Sequence, residues 1–162
     1  MNALLVGSGL VAVASTLAVV LQRRAVHALL YLIVSFFALA VAMLALGAAF
    51  AAALEVVVYA GAILVLFVFV VMMVGSETLA PEPRSWVGPS LLGLVLLGEL
   101  SYALFARPDI LGAPAGLPPA ANSPKDVGMA LLGPYAIGVE IAAFLLLSGL
   151  VGAYRIARRG KP

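Results

Sequence analysis

Between Ala25 and Leu54 the chain runs for 30 residues without Asp, Glu, Lys or Arg, and after Glu55 another 21 uncharged residues follow to Ser76. A helix rises about 1.5 Å per residue and the hydrocarbon core of a bilayer is about 30 Å thick, so this stretch is too long for one crossing. It must fold back once. Gly47, followed by the small residues Ala48 and Ala49, is where the sequence turns most readily, which gives helices at about 26–47 and 51–74. The whole chain agrees: 65% of its 162 residues are hydrophobic, 10% are charged and the mean hydropathy is +1.21, whereas soluble domains are about 25% charged. The reading is an all-α integral membrane protein whose spans fill a single membrane domain over residues 1–162.

What the composition lacks is equally restrictive. There is no Cys and a single His, His27, which excludes an iron–sulfur cluster, a thiolate metal site, a disulfide framework and a multi-His metal site. Any redox chemistry therefore belongs to a partner. The net charge of +2 comes from nine Lys and Arg scattered beside apolar segments. They form no basic groove for nucleic acid and serve instead as topology signals.

Met1 to Gln22 is uncharged, has no basic residue ahead of it and ends at Arg23-Arg24, which fits a retained helix at about 2–22 and not a cleaved signal. Pro81, Pro83 and the charges at Glu77, Glu82 and Arg84 end the third helix in a solvated loop. A fourth helix runs over about 86–106, with Trp86 as its interfacial anchor. Arg107 to Gly128 holds five prolines and three glycines, so 107–123 is an extended connector. Ser123-Pro124-Lys125-Asp126 has the form of a helix start, opening a fifth helix at about 124–154 that bends at Pro134. Seven cationic residues (Arg23, Arg24, Arg84, Arg155, Arg158, Arg159, Lys161) fall on one side of these five helices and two (Arg107, Lys125) on the other. The positive-inside bias puts the N-terminus outside and the C-terminus in the cytoplasm. The sequence has no internal repeat of the kind from which carriers are built. Ala38, Ala42, Ala45 and Ala49 instead form a small-residue stripe suited to close helix contact.

Three carboxylates fall within the predicted spans, where each costs about 2.5–3.5 kcal/mol on insertion scales. Glu55 sits one turn inside the outer end of the third helix, either solvated from that end or placed for function. Glu99 lies past the middle of the fourth helix with Tyr102 three residues on, within reach of a hydrogen bond along one face. Glu140 falls near the centre of the fifth helix among Ile137, Ile141, Phe144 and Leu145 and needs a polar partner, water or a proton. In the third helix Glu55 and Tyr59 stand one α-turn apart, and Gly61 removes a side chain among bulky neighbours. Gly61 is either a packing notch or the residue that permits a wide π-type turn beside a buried tyrosine hydroxyl.

Several blocks together are specific. They are Ala25-Val26-His27-Ala28-Leu29-Leu30-Tyr31-Leu32 with Ser35-Phe36-Phe37, then Val58-Tyr59-Ala60-Gly61-Ala62-Ile63 and Val65-Leu66-Phe67-Val68-Phe69 ending in Met72-Met73. In the last helix Tyr135, Glu140, Leu145-Leu146-Leu147 and Val151-Gly152-Ala153 keep a matching spacing. The chain resembles the J-subunit family of bacterial proton-pumping NADH:quinone oxidoreductase, respiratory complex I, whose mitochondrial counterpart is subunit 6. It departs from the common pattern at Arg24-Ala25, where Asn-Pro usually follows the arginine.

The resemblance implies a five-helix subunit of the membrane arm in the bacterial inner (plasma) membrane, between the quinone-site subunits and the antiporter-like pumps. NADH, FMN, iron–sulfur clusters and quinone would be bound in partner subunits, with no catalytic residue, cofactor site or metal site in this chain. It also implies a third helix that switches between regular and π-bulged forms, with Tyr59 and Gly61 at the matching positions. Glu55 and Glu140, with Glu99 as a further candidate, would contribute to a hydrated polar axis along the arm. Two other classes compete: a small transporter or channel subunit, weakened by the lack of repeats, and a purely structural packing subunit.

Overall fold

The structure is a computed structural model and describes residues 2–74, 86–106 and 123–159. The loop around Pro81 and Arg84 lies outside the described residues, as does the connector at 107–122. The described elements are all helical: α1 (Asn2–Leu21), α2 (Ala25–Ala45), α3 (Ala49–Leu54), a π-wound segment (Glu55–Ile63), α4 (Leu64–Val74), α5 (Val87–Ala106), α6 (Pro124–Leu132) and α7 (Ala136–Arg159). α3, the π segment and α4 form one unbroken run. Four helices are long and apolar enough to cross a membrane, namely Ala3–Leu21, Ala25–Ala45, Ala49–Val74 and Ala136–Arg158, and a shorter apolar helix covers Val87–Tyr102. The chain divides into two compact units, Met1–Ala120 and Ala121–Pro162.

The first unit is organised by close contact of α1 with α2. Val11 and Ala12 of α1, Ala38 and Val41 of α2 and Leu96 of α5 form its buried cluster, with Leu4, Val34, Leu92 and Leu100 packed around them. Ala12 and Ala38 are small enough for the backbones to approach, which drives helix association where lipid is as apolar as the side chains. Ala45 is buried with Ala38, whereas Ala42 is half-buried and Ala49 exposed, so only part of the alanine stripe seats against a neighbour.

Hydroxyls line the same interface. Ser15 Oγ donates to the Val11 carbonyl at 2.6 Å, which lets the side chain be fully buried without an orphaned polar group. Thr16 Oγ1 and Ser35 Oγ meet at 2.8 Å across the two helices, and Thr16 also donates to the Ala12 carbonyl at 2.7 Å.

Gly47 makes the reversal into the third helix. It has φ +82° and is the only described residue with positive φ outside ordinary L-residue space. Its N–H donates to the Leu44 carbonyl at 2.9 Å, and the Ala48 N–H donates to Met43 at 2.9 Å. These are the two bonds of a Schellman end, which satisfies carbonyls that the end of the helix would otherwise leave without partners. α2 thus ends at Ala45, two residues before the glycine, because the cap itself occupies Leu46 and Gly47. At the other end of α2, His27 meets the Trp86 ring edge-on at 6.1 Å, and the Tyr31 hydroxyl lies against Gly88 of α5.

In the second unit Ser123 Oγ accepts from the Asp126 N–H at 3.2 Å and donates to Asp126 Oδ2 at 2.6 Å, so the four-residue start signal works as a cap. Pro134 does more than bend the helix. It lacks the N–H that would bond the Ala130 carbonyl, and the Tyr135 N–H takes that carbonyl instead at 3.1 Å. The helix is interrupted between Leu132 and Ala136.

Candidate functional site

The third helix carries the unusual geometry. From Glu55 to Ile63 the backbone is wound with hydrogen bonds five residues back, and at its end the Leu64 N–H donates to the Tyr59 carbonyl. This is nine residues long, more than the single wide turn expected at Gly61. Gly61 fits it closely: a Cβ there would lie 3.1 Å from the Val56 carbonyl oxygen, the group five residues back. In an α-helix that carbonyl faces residue 60, so a side chain at 61 meets it only in the π winding. Glycine removes the crowding.

The winding also redistributes the faces. Ala52, Glu55, Ala60 and Leu64 are the buried residues of the run, at 8%, 8%, 7% and 1% exposure, and the stripe crosses the π segment in a five-residue step. Glu55 and Tyr59, paired on one face by α periodicity, are therefore separated. Glu55 is buried where exposure to the outer end was one reading, and Tyr59 is 48% exposed where a buried hydroxyl was expected. The Tyr59 ring rests against Phe36 of α2, with centroids 5.5 Å apart and planes at 42°. Beside the start of the π segment an open apolar groove of about 430 Å³ is lined by Phe37, Val41, Leu44, Val56, Val57 and Leu100.

Glu99 occupies a different contact. Its carboxyl lies against Gly7 of α1, where an added Cβ would come within 2.8 Å of Glu99 Cδ. Glu99 Oε2 is buried without a hydrogen-bond partner. Tyr102 does not supply one, because its side chain is 76% exposed and turned from that interface. Glu140 is in the second unit, exposed on α7. It stands one turn from the start of α7 and not at the centre of a longer helix, because the interruption before Ala136 begins a new element there. Among the described residues no group of three His, Asp or Glu is placed to hold a metal ion.

Against this geometry the comparisons with known proteins are decisive. Residues 15–156 match the family described as NADH-ubiquinone/plastoquinone oxidoreductase chain 6. The chain belongs to this family. It is 49% identical over 156 residues to the NADH-quinone oxidoreductase subunit J of Pseudomonas aeruginosa, with 92% of each chain covered. The same subunit of Escherichia coli K12 is 45% identical over 157 residues, covering 93% of this chain and 83% of the relative. That of Rhodobacter capsulatus is 35% identical over 159 residues, covering 92% and 77%.

For this chain 6 family member, sequence reasoning singled out Gly61 and Tyr59 but passed over Gly7 and Phe36. Gly7 stands in the run Gly7-Ser8-Gly9, a signal of close approach with nothing to say which glycine faces a carboxylate. Phe36 carries no local signal at all, since its contact depends on the π register of another helix. Gly7 and Gly9 provide a matched test, because a Cβ at Gly9 meets nothing within 4 Å. Both Ala substitutions gain the same helix propensity, so their difference isolates the collision with Glu99. Gly7→Ala is expected to be less stable than Gly9→Ala by about 1–3 kcal/mol, the usual range for overpacking, read as an earlier midpoint of heat inactivation in detergent. Equal midpoints would mean that Glu99 moves aside freely.

Proposed function

We propose that this chain is a membrane-arm subunit of a proton-translocating NADH:quinone oxidoreductase and that it couples quinone reduction to proton movement through the winding of its third helix. The observation that carries the reading is the π segment centred on Tyr59 and Gly61 in a chain of this family. Both windings bond the backbone to itself, five residues back in one and four in the other, so a change between them exchanges hydrogen bonds within the helix and does not break it. A one-residue shift of register between the windings turns one flank of the helix against the other by about 100°. A bias of about 1.4 kcal/mol moves such an equilibrium tenfold. A small change at a neighbouring subunit is thus enough to re-aim side chains here.

NADH, FMN, the iron–sulfur clusters and quinone belong in this reading to partner subunits, and the absence of Cys from the chain supports that division. The partners are the quinone-site and antiporter-like subunits, in the bacterial inner membrane. Five crossings with the N-terminus outside and the C-terminus in the cytoplasm agree with the seven-to-two split of Lys and Arg. Glu140, one turn inside the start of the Ala136–Arg158 span and costly there without a polar task, is a contributor to the hydrated path.

The chain, tagged and purified from native membranes, is expected to bring down an NADH-oxidising assembly. Recovery without that activity would refute the assignment. In the same membranes Glu140→Gln should lower NADH-driven proton uptake per assembled complex, and unchanged uptake would return Glu140 to packing. Topology has its own check, since no native Cys competes. A cysteine at Ala48 should react with a membrane-impermeant thiol reagent on intact cells and one at Gln22 should not; the reverse pattern would overturn the orientation.

A further inference from the structure

We propose that Phe36 of α2 is the positioning residue that holds Tyr59 in the π-wound register, so that the Phe36–Tyr59 ring contact is a latch for that winding. The proposal rests on the reading of the third helix as a coupling element and names a second helix that biases it. Three observations carry it.

The rings meet at 5.5 Å with planes tilted by 42°, inside the range in which aromatic pairs attract. Tyr59 is the middle residue of the nine-residue segment, so its direction depends on the winding around it. Rewinding to α shifts the register by one residue, which turns one flank against the other by about 100° and carries the ring off Phe36. A contact made in one winding and lost in the other is what an equilibrium needs in order to be biased.

The third observation is that Phe36 stands on fixed ground. Its neighbour Ser35 is 4% exposed and hydrogen-bonded to Thr16 of α1 at 2.8 Å, with the Ala12 carbonyl at 3.4 Å. α1 and α2 are therefore pinned at the level of Phe36, while the remaining face of Tyr59 is open. A ring on a pinned helix can select among positions of a ring on a helix that rewinds. Aromatic pairs favour one arrangement by roughly twofold to tenfold.

The test is a double-mutant cycle in the assembled complex, read as NADH-driven quinone reduction and proton uptake per complex in native membranes. Phe36→Leu is expected to lower both by between about twofold and tenfold with the amount of complex unchanged, while Phe36→Tyr, which keeps the ring, stays near the wild-type rate. In a Tyr59→Leu background Phe36→Leu should add nothing, because the contact is already gone. The proposal is overturned if Phe36→Leu is fully active, if it costs the same in both backgrounds, or if Phe36→Tyr falls as far as Phe36→Leu. Should Phe36→Leu fail to assemble, the volume-conserving Phe36→Met takes its place with the same expected outcomes. Full activity of Tyr59→Leu alone would strike at the coupling role of the third helix. A defect in Tyr59→Leu with none in Phe36→Leu would leave that role standing and remove the latch.

Discussion

In hydrocarbon a backbone N–H or carbonyl has no water to fall back on, and this requirement shapes each unusual feature of the chain. The Schellman bonds at Gly47 close the end of α2 before the chain turns. At Pro134 the missing donor is replaced by the Tyr135 N–H on the Ala130 carbonyl. The π segment meets the same demand with bonds that reach five residues back, the Leu64 N–H on the Tyr59 carbonyl among them.

The same solvent makes packing depend on small residues and local hydroxyls. Lipid offers no hydrophobic drive for α1 to meet α2, so the contact is made by Ala12 and Ala38 approaching closely and by Thr16 and Ser35 sharing a proton. This pair is the rigid half of the first unit. The third helix is packed through a narrow stripe of Ala52, Glu55, Ala60 and Leu64, with most of its circumference open. The π segment thus lies in a helix packed on one narrow stripe, beside a pair held by small residues and hydroxyls.

Much of this was readable in the residues, and the part that was not has a common cause. The turn at Gly47 and the cap at Ser123 follow from local chemistry, positive φ in one case and a side-chain acceptor in the other, and local chemistry survives in a sequence. The α-helical period put Glu55 and Tyr59 together, but the π winding separates them, because one extra residue per turn shifts every later position around the axis. Gly61 could be read as a place where a wide turn is permitted, yet not as part of a segment reaching back to Glu55. Gly7 beneath Glu99 and Phe36 beneath Tyr59 are contacts between helices far apart in sequence, and nothing near either residue announces them.

The central claim is that winding at Gly61 sets coupling, and the most direct measurement is proton uptake driven by NADH in inverted membrane vesicles carrying Gly61→Ala, compared with the amount of assembled complex. An added Cβ would meet the Val56 carbonyl oxygen at 3.1 Å in the π winding. Crowding by that Cβ should move the balance toward the α form, about fivefold for each 1 kcal/mol of bias. Proton uptake and quinone reduction should then fall together while assembly is preserved. Uptake and reduction at the wild-type rate in fully assembled complex would contradict the account.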